Sequence, residues 1–281
     1  MRINLNHEVM LENYMKEFPE WVNDNETKYD LCLTNDIDSL LSCVILNKIK
    51  GYEINLFYDF GGLYTLRETG NKAIGVDMDI TKGKAWGNHV VKLSPHDNYN
   101  KEIANLNITE DISRKNYTKK YCGSTLLTIM SYYGVTIDNL SEEGKMILLA
   151  IDSTYLPFYR SRFKETGKKW LVNVLEYPEL YEVVQRHQKH EFVEIIGKYG
   201  LRKPIYMVDE RLQTEIDLEG ISKALNGIEI ELPNGGFTRR VWFNNIYQDL
   251  SHDDECYLTK SNIGNIFSLA VTYKHSISYS I

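Results

Sequence analysis

Basic charge is in deficit along this chain: 32 lysines and arginines stand against 39 aspartates and glutamates, for a formal net charge of -7. Coating long duplex nucleic acid gains affinity from counterion release, and an acidic chain is poorly suited to it, although a local basic groove stays open. Cysteine is scarce. Cys32, Cys43, Cys122 and Cys256 form no CxxC pair in a chain too long to need staples, so they read as reduced core thiols. No apolar run approaches the ~18 residues that a spanning helix requires. The opening segment MRINLNHEVMLENYMKEF mixes charges into its apolar positions. The expectation is a soluble, unexported, cytoplasmic protein with no membrane partner, no repeat and no low-complexity tract.

What is present is ordinary globular material. The 281 residues are 43% hydrophobic and 25% charged, enough for a buried core and, at about 100–200 residues per domain, for two domains or one large one. KYDLCLT (28–34) reads as a strand, DSLLSCVILNKIK (38–50) as a helix stopped by Gly51, EINLFYDF (53–60) as a second strand and KAIGVDM (72–78) as a third. That rhythm predicts a parallel α/β sheet. Helices are predicted over about Lys119–Tyr133, from Ser141 towards Asp152, and over Pro178–His190. Beyond a boundary near 185–200, RKPIYMVD, GIEIELP, TRRVWFNN and FSLAVTYKHSISYSI are β-like, with one helix in TEIDLEGISKALNG. The expected organisation is an α/β domain over 1–185 followed by a smaller α+β domain over 200–281.

Ligands of open parallel sheets bind outside the carboxyl ends of the strands, and there this sequence places aspartates. Asp36 and Asp38 follow the first strand, Asp59 ends the second, Asp77 and Asp79 end the third, and Asp152 closes an apolar run. Carboxylates meeting in one crevice repel one another unless cations neutralise them, and oxygen-rich sites select hard ions such as Mg²⁺ or Mn²⁺. Such ions activate water and clamp phosphoryl oxygens, which points to phosphoester hydrolysis. Any one of these aspartates is equally readable as a turn residue or helix cap, Asp36 above all.

TNDIDSLLS, GVDMD, AWGNHVVKL with the following CGSTLLTIMSYYGV, and LLAIDST together resemble, in order and spacing, the motifs of the DHH phosphoesterase superfamily. That superfamily includes RecJ-like exonucleases, nanoRNases, cyclic dinucleotide phosphodiesterases and family II pyrophosphatases. The resemblance covers roughly residues 28–160. It implies one or two Mn²⁺ or Mg²⁺ ions held by Asp36, Asp38, Asp77 and Asp152, with Asp77 bridging and His89 contacting the substrate phosphate. It implies a hydrolase acting on a small phosphorylated substrate, a nucleotide or a short single-stranded oligonucleotide. The tail SLAVTYKHSISYSI is similar to the paired strands of the substrate-binding domain of that family, without a counterpart of its glycine-rich GGGH segment.

The departures matter for chemistry. Cys32 stands where the family's first motif has a histidine, and the triplet reads Gly87, Asn88, His89, so a neutral amide replaces a metal-ligating imidazole. A second expectation follows: a catalytically weakened or inactive relative that binds nucleotides or regulates a partner. His89 beside Val90 and Val91 is also readable as a structural histidine. One of Arg239 and Arg240 is a candidate for binding phosphate; Arg160 and Arg162, alternating with Tyr159 and Phe163, could hold a base and its phosphate but read more simply as a solvated interdomain face; His187 and His190 could ligate a metal, yet no carboxylate or cysteine accompanies them in a known spacing. His252, Asp253, Asp254 and Glu255 read as an exposed acidic turn, and Asn234, Gly235 and Gly236 as a hairpin turn.

Overall fold

The structure, a computed structural model, describes residues 9–251 and 259–281. The first eight positions of the opening segment, the His252–Glu255 run and Cys256 lie outside the described residues. The strands, in chain order, are β1 (Tyr29–Leu33), β2 (Glu53–Tyr58), β3 (Gly62–Thr65), β4 (Lys72–Val76), β5 (Lys84–Trp86), β6 (Ile103–Ala104), β7 (Ile205–Val208) and β8 (Arg211–Thr214). Then come β9 (Thr238–Trp242), β10 (Asn245–Asp249), β11 (Ser268–Tyr273) and β12 (Ser276–Ser280).

A seven-stranded sheet runs in the order β6-β5-β4-β1-β2-β3-β9. β1 pairs in parallel with β2 on one side and β4 on the other, and β4, β5 and β6 continue in parallel. Every residue of β1 is buried, as expected of a central parallel strand covered on both faces. β3 and β9 are antiparallel additions at one edge. The fold is therefore mixed α/β, with a mostly parallel central sheet and two small antiparallel sheets.

The connection from β1 goes to β2, whereas the chain leaving β4 goes the opposite way to β5. Between β1 and β4 the order reverses, and a crevice opens beyond their carboxyl ends. The Ile37–Lys50 helix covers this region, with Leu40, Leu41 and Leu46 buried. Asp36 caps its start by accepting the Ser39 N–H at 3.0 Å, and Gly51 ends it in the left-handed region at φ 69°. The helix packs against a second, Thr125–Tyr132.

Several expectations shift. The helix expected from Lys119 begins only at Thr125, because the Ser124 hydroxyl caps it by accepting the Leu127 N–H at 3.1 Å. The helix expected over Pro178–His190 is two helices, Pro178–Arg186 and Lys189–Tyr199, broken where His187 is extended. GIEIELP forms no strand: Ile228 and Ile230 are buried and Glu229 and Glu231 exposed, yet the segment has no ladder partner. Asn234–Gly236 therefore joins no hairpin. A hairpin does occur at β7–β8, where Asp209 and Glu210 both take positive φ, 47° and 63°.

The main hydrophobic core continues past the boundary expected at 185–200, through Leu201, Ile205, Leu212 and Ile221 as far as Phe237. The β10-β12-β11 sheet has a separate core, in which Leu269, Val271 and Ile277 pack on Val90, Leu93 and Ile112. Among the described residues no helix is long and apolar enough to cross a membrane.

Candidate active site

Asp36, Asp38, Asp77, Asn88, His89 and Asp152 line one cavity of about 260 Å³ beyond the ends of β1 and β4, closed on the far side by Arg202, Lys203 and Pro204. Four separate stretches of chain deliver these side chains, and a local cause fixes each one. The Ser39 hydroxyl accepts the Thr34 N–H at 2.8 Å and donates to the Val76 carbonyl at 2.7 Å, locking the end of β1 to the end of β4. Asp77 then turns in the left-handed region at φ 59°, an uncommon conformation for a residue with a Cβ. Its Oδ1 accepts the Thr125 hydroxyl at 2.6 Å.

Asp38 faces the start of the Thr125–Tyr132 helix. Its Oδ2 accepts the Thr125 N–H and its Oδ1 the Leu126 N–H, both at 2.8 Å, so a buried carboxylate meets backbone donors that have no intrahelical partner. Asp152 follows the Glu142–Ala150 helix and is pinned through its backbone: Arg202 donates to the carbonyls of Asp152 at 2.7 Å and Ile151 at 3.1 Å.

Asn88 sits between two of the carboxylates. Its Nδ2 lies 3.0 Å from Asp152 Oδ2, 3.1 Å from the Gly123 carbonyl and 3.5 Å from Asp38 Oδ2. Its Oδ1 is buried without a hydrogen-bond partner. His89 Nδ1 is 2.9 Å from Asp79 Oδ2, and Asn105 steadies both by donating to Asp79 Oδ1 at 2.8 Å and to the His89 carbonyl at 2.9 Å. A Cβ on Gly87 would fall 2.4 Å from Asp79 Oδ1, so glycine leaves the space that this carboxylate fills.

Charge is poorly balanced here. Burial raises the pKa of Asp36, opposed by the Ser39 N–H and reinforced by the charge of Asp152. Burial lifts Asp38 and Asp77 further, helped by the negative charges of Asp36 on Asp38 and of Asp38 on Asp77. Asp152 is raised by burial against the pull of His89, Lys120 and Arg202. For His89, burial works to lower the pKa, yet the hydrogen bond and charge of Asp79, followed by Asp77 and Asp152, raise it to about 9. The ring keeps 36% of its surface open. The Asp79 partner favours the charged form of the ring, which is set in the wall of an acidic cavity.

Asp36, Asp77 and Asp152 offer hard oxygen donors, and their mutual repulsion calls for a cation, so the donor chemistry fits Mn²⁺ or Mg²⁺. Among the described residues, no three His, Cys, Asp or Glu side chains are drawn together tightly enough to cage an ion. Two features of the cavity bear on that: Asp38 is turned onto the helix start, and the Asn88 amide donates to Asp152 and to the Gly123 carbonyl. Cys32 is buried with Tyr58, Met78 and Ile80 on the other side of β1, where burial raises its thiol pKa, and it does not line the cavity.

The remaining candidates lie elsewhere. Asp59 is a turn residue, accepting the N–H groups of Gly61 at 3.0 Å and Gly62 at 2.7 Å. Arg239 stacks between Tyr64 and the exposed Trp242, and Arg240 pairs with Glu68. Arg160 and Arg162 are exposed. His187 bridges Glu191 at 2.8 Å and Glu142 at 3.0 Å, and His190 is exposed.

Sequence reading missed the role of Asp79, although GVDMD displayed it, and that of Thr125 in the Ser/Thr pair. Arg202 and Lys203 carried no signal, since their place at the cavity depends on the long-range packing of the Lys189–Tyr199 helix. No protein-family model, no curated protein and no solved structure matches this chain.

Proposed function

We propose that the chain is a divalent-metal-dependent phosphoesterase of the DHH type, a hydrolase acting on a small phosphorylated substrate, a nucleotide or a short oligonucleotide. One observation carries this reading: Asp36, Asp38, Asp77, Asp152 and His89, scattered over more than a hundred positions, line a single cavity at the point where the strand order reverses. In the same reading, the β10–β12 sheet is the substrate-binding part that follows a DHH-like domain.

Asp36 and Asp77, with Asp152 beside them, are the residues that would hold Mn²⁺ or Mg²⁺. A bound ion supplies an activated water and charge neutralisation at the phosphorus centre. His89 is fixed by Asp79 through Nδ1, which leaves Nε2 as a charged donor for a non-bridging phosphate oxygen. The charge of Arg202 at the far wall favours an anion entering an otherwise acidic cavity. At about 260 Å³ the space is below the usual range for drug-sized ligands, which suits one phosphate group and its immediate neighbours.

The test is turnover of short oligonucleotides, cyclic dinucleotides and pyrophosphate with Mn²⁺, beside an Asp77→Ala control. Product formation that disappears in Asp77→Ala supports the hydrolase. A second reading, a catalytically weakened binder of nucleotides, is favoured by Asn88, whose amide already engages Asp152. Nucleotide binding without metal and without turnover supports it instead.

A further inference from the structure

We propose that the strip of cations from Arg114 to Lys120, laid along the end of β11, is the binding track of a single-stranded oligonucleotide whose scissile phosphate enters the cavity. The inference rests on the phosphoesterase reading and names its substrate class.

RKNYTKK (114–120) carries four basic residues and no acidic one, in a chain of net charge -7. Arg114 Nε donates to the Lys274 carbonyl at 3.2 Å, and the Tyr117 hydroxyl donates to the carbonyls of Thr272 at 2.8 Å and Val271 at 3.3 Å. The segment is thereby stitched to β11, where Tyr273 is 70% exposed and Lys274 adds a fifth exposed cation. Its other end is held by Trp170, whose Nε1 donates to the Lys119 carbonyl at 3.0 Å. These charges are not spent on the protein itself. Among the described residues, Arg114, Lys115, Lys119, Lys120 and Lys274 make no ion pair, and the nearest carboxylates in sequence are engaged elsewhere, Glu110 with Lys169 at 2.7 Å and Asp111 with Lys92. Lys115 and Lys119 are exposed; Lys120 is half-buried, its ammonium 4.9 Å from the centre of the Tyr117 ring.

The strip leads to the site. Lys120 precedes Gly123, whose carbonyl takes the Asn88 amide, and Thr125, whose hydroxyl reaches Asp77. Burial raises the pKa of Asp152, and Lys120 is among the cations that oppose it, between His89 and Arg202 in strength. At the ~2 Å rise per residue of a 3₁₀ helix, Arg114 to Lys120 extends the anion-binding surface by roughly 12 Å beyond the cavity. A ligand that uses both therefore carries several phosphates. Free cations that follow a backbone, interleaved with an exposed aromatic ring, suit a strand whose bases are unpaired, because a duplex keeps its base faces to itself.

The experiment is fluorescence anisotropy of a labelled single-stranded pentanucleotide added to the full-length protein, with chelator present to prevent turnover. Wild type is expected to bind with a log–log salt dependence of slope about -2 or steeper. Lys115→Gln combined with Lys119→Gln, both at exposed side chains, should weaken binding about tenfold and make the slope shallower by about 1.4. Tyr273→Ala should cost at least about fivefold. Equal affinity in wild type and the double variant would overturn the proposal. So would cosedimentation with phosphatidylserine vesicles in a protein that binds no oligonucleotide. Failure here is separable from failure of the phosphoesterase reading: Mn²⁺-dependent turnover of pyrophosphate without oligonucleotide binding removes the track alone. Oligonucleotide binding that is lost in the double variant, without turnover of any substrate, keeps the track and removes the hydrolase.

Discussion

Gly87 and Asp79 form a pair in which one residue's lack of a side chain makes room for the other's. A methyl group at position 87 meets Asp79 Oδ1 at 2.4 Å and the Met78 carbonyl at 3.1 Å; the first is held by the Asn105 amide and the second is backbone. Gly87→Ala should therefore cost about 1–3 kcal/mol, read as a lower denaturation midpoint in urea. Asp79 also sets the protonation of His89. Replacing it by asparagine removes the charge that holds the imidazole near pKa 9. The His89 titration, followed by NMR, should then move down towards the ordinary histidine range, and the upper limb of the pH–rate profile should move with it. A profile unchanged in Asp79→Asn would remove His89 from the reaction. The sequence displayed the aspartates at the strand ends plainly, because a carboxylate after an apolar run is visible as such. It did not display which of them would face a cation, a helix start or an imidazole: Asp38, Asp77 and Asp79 look alike until Thr125, Leu126 and His89 are brought next to them.

At the scale of elements, the Thr125–Tyr132 helix does more than fill space. Its first two N–H groups end on Asp38, and the Thr125 hydroxyl ends on Asp77, so one helix start orients two carboxylates. Asp38→Ala strips two buried donors of their acceptor and should destabilise by about 2 kcal/mol or more whether metal is present or not. Asp77→Asn, which keeps an acceptor for Thr125 and removes a repelled charge, should melt at or above the wild-type temperature in the metal-free state. Parallel melts of the two variants with a chelator present check the contrast. The elements most legible in the sequence were β1, the Ile37–Lys50 helix, β2 and β4, whose apolar runs are long and punctuated by Gly51. β3, β5 and β6 have two to four residues each, too few for a period to register. GIEIELP shows the converse: an alternating pattern guarantees an alternately buried face and not a partner strand.

For the whole molecule, the balance of charge in the cavity makes stability depend on pH. Asp36, Asp38, Asp77 and Asp152 all have raised pKa values in the folded state. Folding therefore takes up protons on these groups, and their favourable contribution is fully present below the unfolded carboxylate pKa near ~4 and is lost as pH rises through the raised values. The metal-free protein should melt at a lower temperature at pH 8 than in mild acid, measured by circular dichroism in the presence of chelator. A melting temperature that rises steadily from pH 5 to pH 8 under those conditions would mean that the carboxylates do not repel one another as described. The β10–β12 sheet seats its own core on Val90, Leu93 and Ile112, the first of which directly follows His89 in the chain.

A cation that relieves this repulsion must stabilise the fold, and its effect on the melting temperature at neutral pH is the most direct test. At a Mn²⁺ concentration about a hundredfold above its Kd, binding to the folded state alone contributes about 2.7 kcal/mol. For a chain of this size that is a rise of roughly 5 °C. Such a rise is expected in wild type, and its loss in Asp77→Asn. No rise in wild type, or an equal rise in Asp77→Asn, would contradict it.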